Sequence, residues 1–188
     1  METNTSIIHS INNVRHLINN AIFMLRDQDA ALSRHGFVPL YGNALGTESS
    51  KSINQSINQY ATFFPQYIAR PYALESELNQ NQVNKIIFTN IQFFHVDYEE
   101  LTPTLVNSVM IFPESNKNVK GYVQNWWLKY TAFEEVAFDE INKNGEFNES
   151  VDKDGVKTIF WCRDLMEING QKELQEEVER LVGVFGEN

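Results

Sequence analysis

The 188-residue chain holds one cysteine, no long apolar run and few basic residues, and each shortage excludes something. A lone Cys162 rules out an internal disulfide and any cysteine-based zinc cluster. It lies in the apolar run Thr158-Ile-Phe-Trp-Cys162, where a small buried hydrophobe is expected rather than a nucleophile. No stretch reaches the roughly 18 consecutive apolar residues that a membrane span needs. Basic residues are scarce, 15 against 25 acidic ones, for a net charge of −10. Phosphate neutralisation needs clustered Lys and Arg, so direct nucleic-acid binding is not expected. The opening Met-Glu-Thr-Asn-Thr lacks the basic start of a secretory signal. A soluble, cytoplasmic protein without membrane contact is the expectation.

What is present belongs to a globular chain: 42% hydrophobic and 12% aromatic residues. The length suits one domain, with a helical and loop part over 1–80, a sheet over 83–163 and a closing helix over 169–185. The acidity is uneven. Residues 1–81 carry 5 basic and 6 acidic side chains, leaving −1, whereas residues 82–188 carry 10 and 19, leaving −9. An acidic face therefore belongs to the C-terminal half, where it would attract a basic partner or simply confer solubility.

The strongest pattern is a heptad register near the N-terminus. Ile7, Ile11, Val14, Ile18, Ala21, Leu25 and Leu32 recur at spacings of four and three, with Gln28 as the one polar member. This predicts a helix from about Thr5 or Ser6 to Arg34, ended by Gly36 and Pro39. Ile8, Leu17, Ile22, Met24 and Ala31 widen the stripe beyond a bare two-stranded seam. The helix is expected to lie across a sheet, or else to pair in a homodimer.

Residues 36–50 read as a loop, and Ser50 to Phe63 as a short helix ended by Pro65. Gln66 to Leu74 reads as a turn or short helix. From Val83 the texture turns to strands: Lys85–Val96, Leu105–Phe112, Lys120–Tyr130, Ala132–Phe138 and Val156–Cys162. Asn142 to Val151 reads as an acidic loop. A last helix over Gln171 to Phe185 turns Leu174, Val178, Leu181 and Val182 inward, leaving Glu173, Glu176, Glu177 and Glu179 solvated. The order predicts an α+β fold, with the N-terminal and C-terminal helices packed on a mainly antiparallel sheet of about four to five strands.

Chemistry is thinly marked. Gly42-Asn-Ala-Leu-Gly46-Thr-Glu-Ser-Ser-Lys51-Ser52 fails as a Walker A loop, because four residues separate Gly46 from Lys51 and a helix precedes it. A weaker anion or nucleotide pocket survives, built from Lys51 and Arg70 with Tyr41, Tyr67 and Tyr72 as neighbours. No metal and no cofactor is expected: His9 and His16 are about 10 Å apart along the helix, and Asp152-Lys-Asp154-Gly155 lacks the closing glutamate of a calcium loop. A hairpin turn explains it better. His95 and Asp97 share a strand face, and an edge histidine is the simpler reading. No Gly-x-Ser-x-Gly elbow or Cys/His arrangement marks a nucleophile, so catalytic residues are not assigned. Trp126-Trp127 puts one indole on each face of its strand, making Trp127 a candidate anchor for a partner, beside the acidic Glu134 and Glu135.

The reading that follows is a non-enzymatic interaction or regulatory protein, of the inhibitor, immunity or anti-defence type. It would bind another protein with a basic surface, as a monomer or homodimer. Two alternatives stay open: a protein or enzyme for a phosphorylated small ligand using the 42–52 loop, and a nucleic-acid mimic.

Overall fold

The computed structural model describes residues 2–47, 65–94, 100–123 and 145–187. Helix α1 runs Glu2–Ser33, followed by the short strands β1 (Phe37–Pro39) and β2 (Gly46–Thr47). Strand β3 (Tyr67–Leu74) leads through α2 (Glu75–Gln80) to β4 (Val83–Gln92) and the long β5 (Thr104–Asn116). Then come α3 (Val119–Tyr122), β6 (Asn148–Val151), β7 (Lys157–Asp164), a 3-10 turn at Leu165–Glu167, and α4 (Gln171–Glu187). Among the described residues these form one seven-stranded sheet, ordered β1-β3-β4-β5-β7-β6, with β2 beside β1 on the same edge of β3. Every pairing is antiparallel. The fold is α+β, with a long N-terminal and a C-terminal helix on a mainly antiparallel sheet.

Both long helices cover one face. Ala31 and Leu32 of α1 meet Val178, Leu181 and Val184 of α4 over Tyr72, Ile87, Val109, Ile159 and Trp161. Ala21 and Leu25 continue the contact over Ile68, Ile91 and Leu105. The other face packs Phe88, Ile86, Met110 and Phe112 against Leu40, Val119 and Val123. A sheet covered on both sides explains why β4 reads as a near-continuous apolar run instead of alternating.

Three segments depart from the sequence expectation. Gln66 to Leu74 is not a turn or helix but the inner strand β3, despite Pro71 in its middle. Pro71 donates no hydrogen bond, which normally confines proline to sheet edges. Its carbonyl accepts from Leu40 N–H, so its nitrogen also faces the β1–β2 side and the ladder to β4 loses nothing. Lys120 begins no strand: residues 119–122 are helical, because the Asn118 side chain accepts from Gly121 N–H and caps the turn. Asn148–Val151, expected within a loop, pairs with β7 as the sheet's outer strand. The Ser50–Phe63 helix and the Ala132–Phe138 strand fall outside the described residues.

Gly36 ends α1 as expected, with φ +82°. The hairpin at Asp152–Gly155 is likewise confirmed: Asp152 Oδ1 accepts from Asp154 and Val156 N–H, and Gly155 has φ +78°. No helix of the described residues is long and apolar enough to cross a membrane.

The stripe on α1 divides at about residue 17. Ala21, Leu25 and Leu32 are buried, whereas Ile7, Ile11 and Val14 are exposed. Leu25→Ala should therefore cost about 2–5 kcal/mol, as buried leucine truncations do, while Ile11→Ala should leave the melting temperature of the monomer almost unchanged. Denaturant titration of the two variants checks the division.

Candidate functional site

The most unusual feature of the helix-covered face is a row of polar side chains through its middle. Register aligns Arg70 of β3 with Thr89 of β4, Thr89 with Asn107 of β5, and Asn107 with Trp161 of β7. The helices close it from above. Gln28 Nε2 donates to Thr89 Oγ1 at 2.6 Å, and Thr89 Oγ1 donates to Asn107 Oδ1 at 2.8 Å. Asn107 Nδ2 then donates to Glu177 Oε2 at 2.9 Å, and Trp161 Nε1 to the same oxygen at 2.6 Å. Arg163 completes the carboxylate, its Nη1 lying 3.1 Å from Oε1. Glu177 was expected to be solvated; it is 3% exposed. The reason is its place on α4, three residues after Leu174 and four before Leu181, both of which face the core.

A second knot ends the row at β3. Arg70 Nε and Nη2 grip Asp29 at 2.7 and 2.6 Å, and Arg70 Nη1 reaches the Ala44 carbonyl at 3.0 Å. Tyr72 O–H donates to the same Asp29 at 2.9 Å. The hydrogen bonds to Asp29 hold the Arg70 guanidinium above its usual pKa against the opposing effect of burial. Burial, and then the Asp29 charge, push the Tyr72 phenol well above the ordinary tyrosine value.

Beyond Trp161 the Arg180 guanidinium lies against two rings, 4.1 Å from the centre of Phe147 and 4.7 Å from that of Trp161. It donates to the Gly145 carbonyl, and desolvation lowers its pKa. Lys85 neutralises the end of α4, donating to the Phe185 carbonyl at 2.6 Å. On the opposite face, both amide atoms of Asn90 and Oε1 of Gln92 are buried with no hydrogen bond among the described residues.

The described residues proposed for an anion pocket fall on both faces of the sheet. Arg70 and Tyr72 meet on Asp29. Tyr67 projects to the other face of β3, in the cluster that Tyr41 packs against, and Tyr41 O–H donates to the Lys120 carbonyl at 2.7 Å. Burial raises the Tyr41 pKa. Arg70 already has its fork filled by a structural carboxylate, so it has no free bidentate face to offer a phosphate. Lys51, Trp127, Glu134, Glu135 and the His95/Asp97 pair lie outside the described residues. No group of three or more His, Cys, Asp or Glu among the described residues is placed to hold a metal ion.

The side chains of this row are joined to one another, so it is a scaffold that ties the helices to the sheet. The open feature is elsewhere. A cleft of about 610 Å³ separates α1 from the 3-10 turn and the start of α4, floored by Leu17, Met24, Leu165, Ile168 and Leu174. That volume is in the range of small-molecule and peptide sites. Phe23 and Met166 stand on its walls, 52% and 67% exposed, with Asn20, Asp27, Asn169 and Gln171 supplying polar groups. The sequence pointed to Trp127 and the 42–52 loop instead. Compared with known protein families, characterised proteins and solved structures, the chain matches none.

Two outcomes test the row. Glu177→Ala strands Trp161 Nε1, Asn107 Nδ2 and Arg163 together, so it should cost about 3–5 kcal/mol, as breaking a buried ion pair does; Glu177→Gln, which keeps the shape, should cost less. The raised Tyr72 pKa means the native state keeps a proton that the unfolded chain loses. Its stabilising contribution is complete below about pH 10, the ordinary tyrosine value, and disappears as pH rises above it. Urea titrations from pH 8 upward should show stability falling on the alkaline side, with a shallower slope in Tyr72→Phe.

Proposed function

We propose that this chain is a non-enzymatic interaction or regulatory protein whose partner is another protein with a basic surface. The observation that carries the reading is the cleft between α1 and α4. It combines exposed large apolar side chains, Phe23 and Met166, with the carboxylate of Asp27 on its wall. Glu167 follows Met166 on the same turn, and Glu173 lies in the first turn of α4. Contact sites of this kind owe their affinity to a few apolar anchors and their partner choice to the charges around them. An amphipathic segment with Lys or Arg beside its apolar face is the matching chemistry. The 42–52 loop has less support as a phosphate site, because Arg70 is held by Asp29.

The test is a capture experiment with the purified chain and its Phe23→Ser/Met166→Ser variant, both positions being exposed and so tolerant of change. The expected result is a discrete basic protein retained by the first and lost by the second. Its association should slow as salt rises, because steering operates within a Debye length of about 8–10 Å. Equal capture by both forms would sink the cleft, and co-purifying nucleotide absorbance would favour a phosphorylated ligand instead.

A further inference from the structure

The N-terminal half of α1 has no floor among the described residues. Residues 4–16 are exposed throughout, so the helix extends about 20 Å past its last buried contact, at 1.5 Å per residue. That overhang is not polar. Ile7, Ile8, Ile11 and Val14 are 53%, 57%, 54% and 41% exposed. Ile7, Ile11 and Val14 continue the stripe that Ala21, Leu25 and Leu32 bury against the sheet. The core-facing side of one helix therefore runs on beyond the core.

We infer that the overhang is an interface between two copies of this chain, which pair antiparallel through Ile7, Ile11, Val14 and Ile18. Spacing and charge select a second copy over another occupant. First, the spacing is four, three, four. That is the rhythm of a coiled-coil seam, and it reads the same in both directions. A two-fold axis can then set Ile11 against the second copy's Val14 and Ile7 against its Ile18, as a self-complementary interface requires. Second, residues 3–26 contain no carboxylate and carry only Arg15 and Arg26, in a chain whose net charge is −10. Two copies meeting here meet at their least acidic surface, whereas the basic partner drawn to the acidic remainder finds no opposite charge. The cleft lies on another side of α1 and stays open in the pair.

The test is the mass in solution of the whole chain, by sedimentation or light scattering over a range of concentrations. The native protein should pass from 21.8 kDa to twice that mass as concentration rises. Ile11→Glu and Val14→Glu change exposed positions, so both should keep the native melting temperature at low concentration and remain at 21.8 kDa throughout. Phe23→Ser/Met166→Ser should dimerise like the native chain. Orientation is read by mild oxidation. A mixture of Ile11→Cys and Val14→Cys chains should cross-link more than either alone, since neither position faces itself in the antiparallel pair. A native chain that stays monomeric, or a dimer that survives Ile11→Glu, overturns the inference. Self-cross-linking of Ile11→Cys as strong as that of the mixture overturns the antiparallel arrangement.

Discussion

The Glu177 carboxylate is the point from which the arrangement of the core follows. A charge buried in an apolar layer is tolerated only when it is paired and its lone pairs are filled. Glu177 meets that condition with partners from two strands: Asn107 from β5, and Trp161 and Arg163 from β7. Its position thereby ties α4 to the sheet at one rotation and one height. Asn107 passes the constraint to Thr89, and Thr89 to Gln28 of α1. One chain of hydrogen bonds thus relates both helices to three strands.

That chain also specifies register. Side chains alternate between sheet faces with a period of two, so a slip of one residue would turn Thr89, Asn107 and Trp161 to the wrong side. Apolar contacts alone would resist such a slip weakly here, because β4 and β5 are apolar on both faces: Ile86 and Phe88 on one side, Ile87 and Ile91 on the other. The polar row supplies the discrimination that hydrophobicity lacks. Asp29 does the same at β3, where it allows the charged Arg70 to occupy an inner strand. We read the row as a device of specificity.

Much of the architecture was legible in the sequence because it depends on periodicity. The heptads of α1, the cap at Gly36 and the spacing of Leu174, Val178 and Leu181 on α4 are local signals, and local signals survive folding. What escaped depends on pairings distant in sequence. Glu177 looks like one more surface glutamate until Asn107, 70 residues away, is known to face it. Arg70-Pro71 argues against a strand until Asp29 and the β1–β2 edge are in place. For the same reason the partner of Arg70 was hidden: Arg70 was chosen for its charge, and Asp29, which pairs with it, lies 41 residues upstream. The cleft was hidden because its two walls come from opposite ends of the chain.

The two halves of α1 stand in different energetic situations. Residues 17–33 are held helical by the sheet and α4, so no separate nucleation is needed for the turns before them. Those turns are poor helix formers taken alone. Residues 4–16 are Asn, Thr, Ser, Ile, His, Val and one Arg, with no Ala, Leu, Glu or Lys. β-branched side chains lose χ1 freedom in a helix, and Asn and Ser compete for its backbone hydrogen bonds. Propagation from the packed half carries the helix forward with little intrinsic gain per residue. A sequence under no demand but helicity would place other residues there. Isoleucines at seam positions, flanked by asparagines and serines instead of carboxylates, make sense for a helix completed by packing. In the packed half that packing comes from the sheet, and in the overhang the same stripe calls for a surface of the same shape.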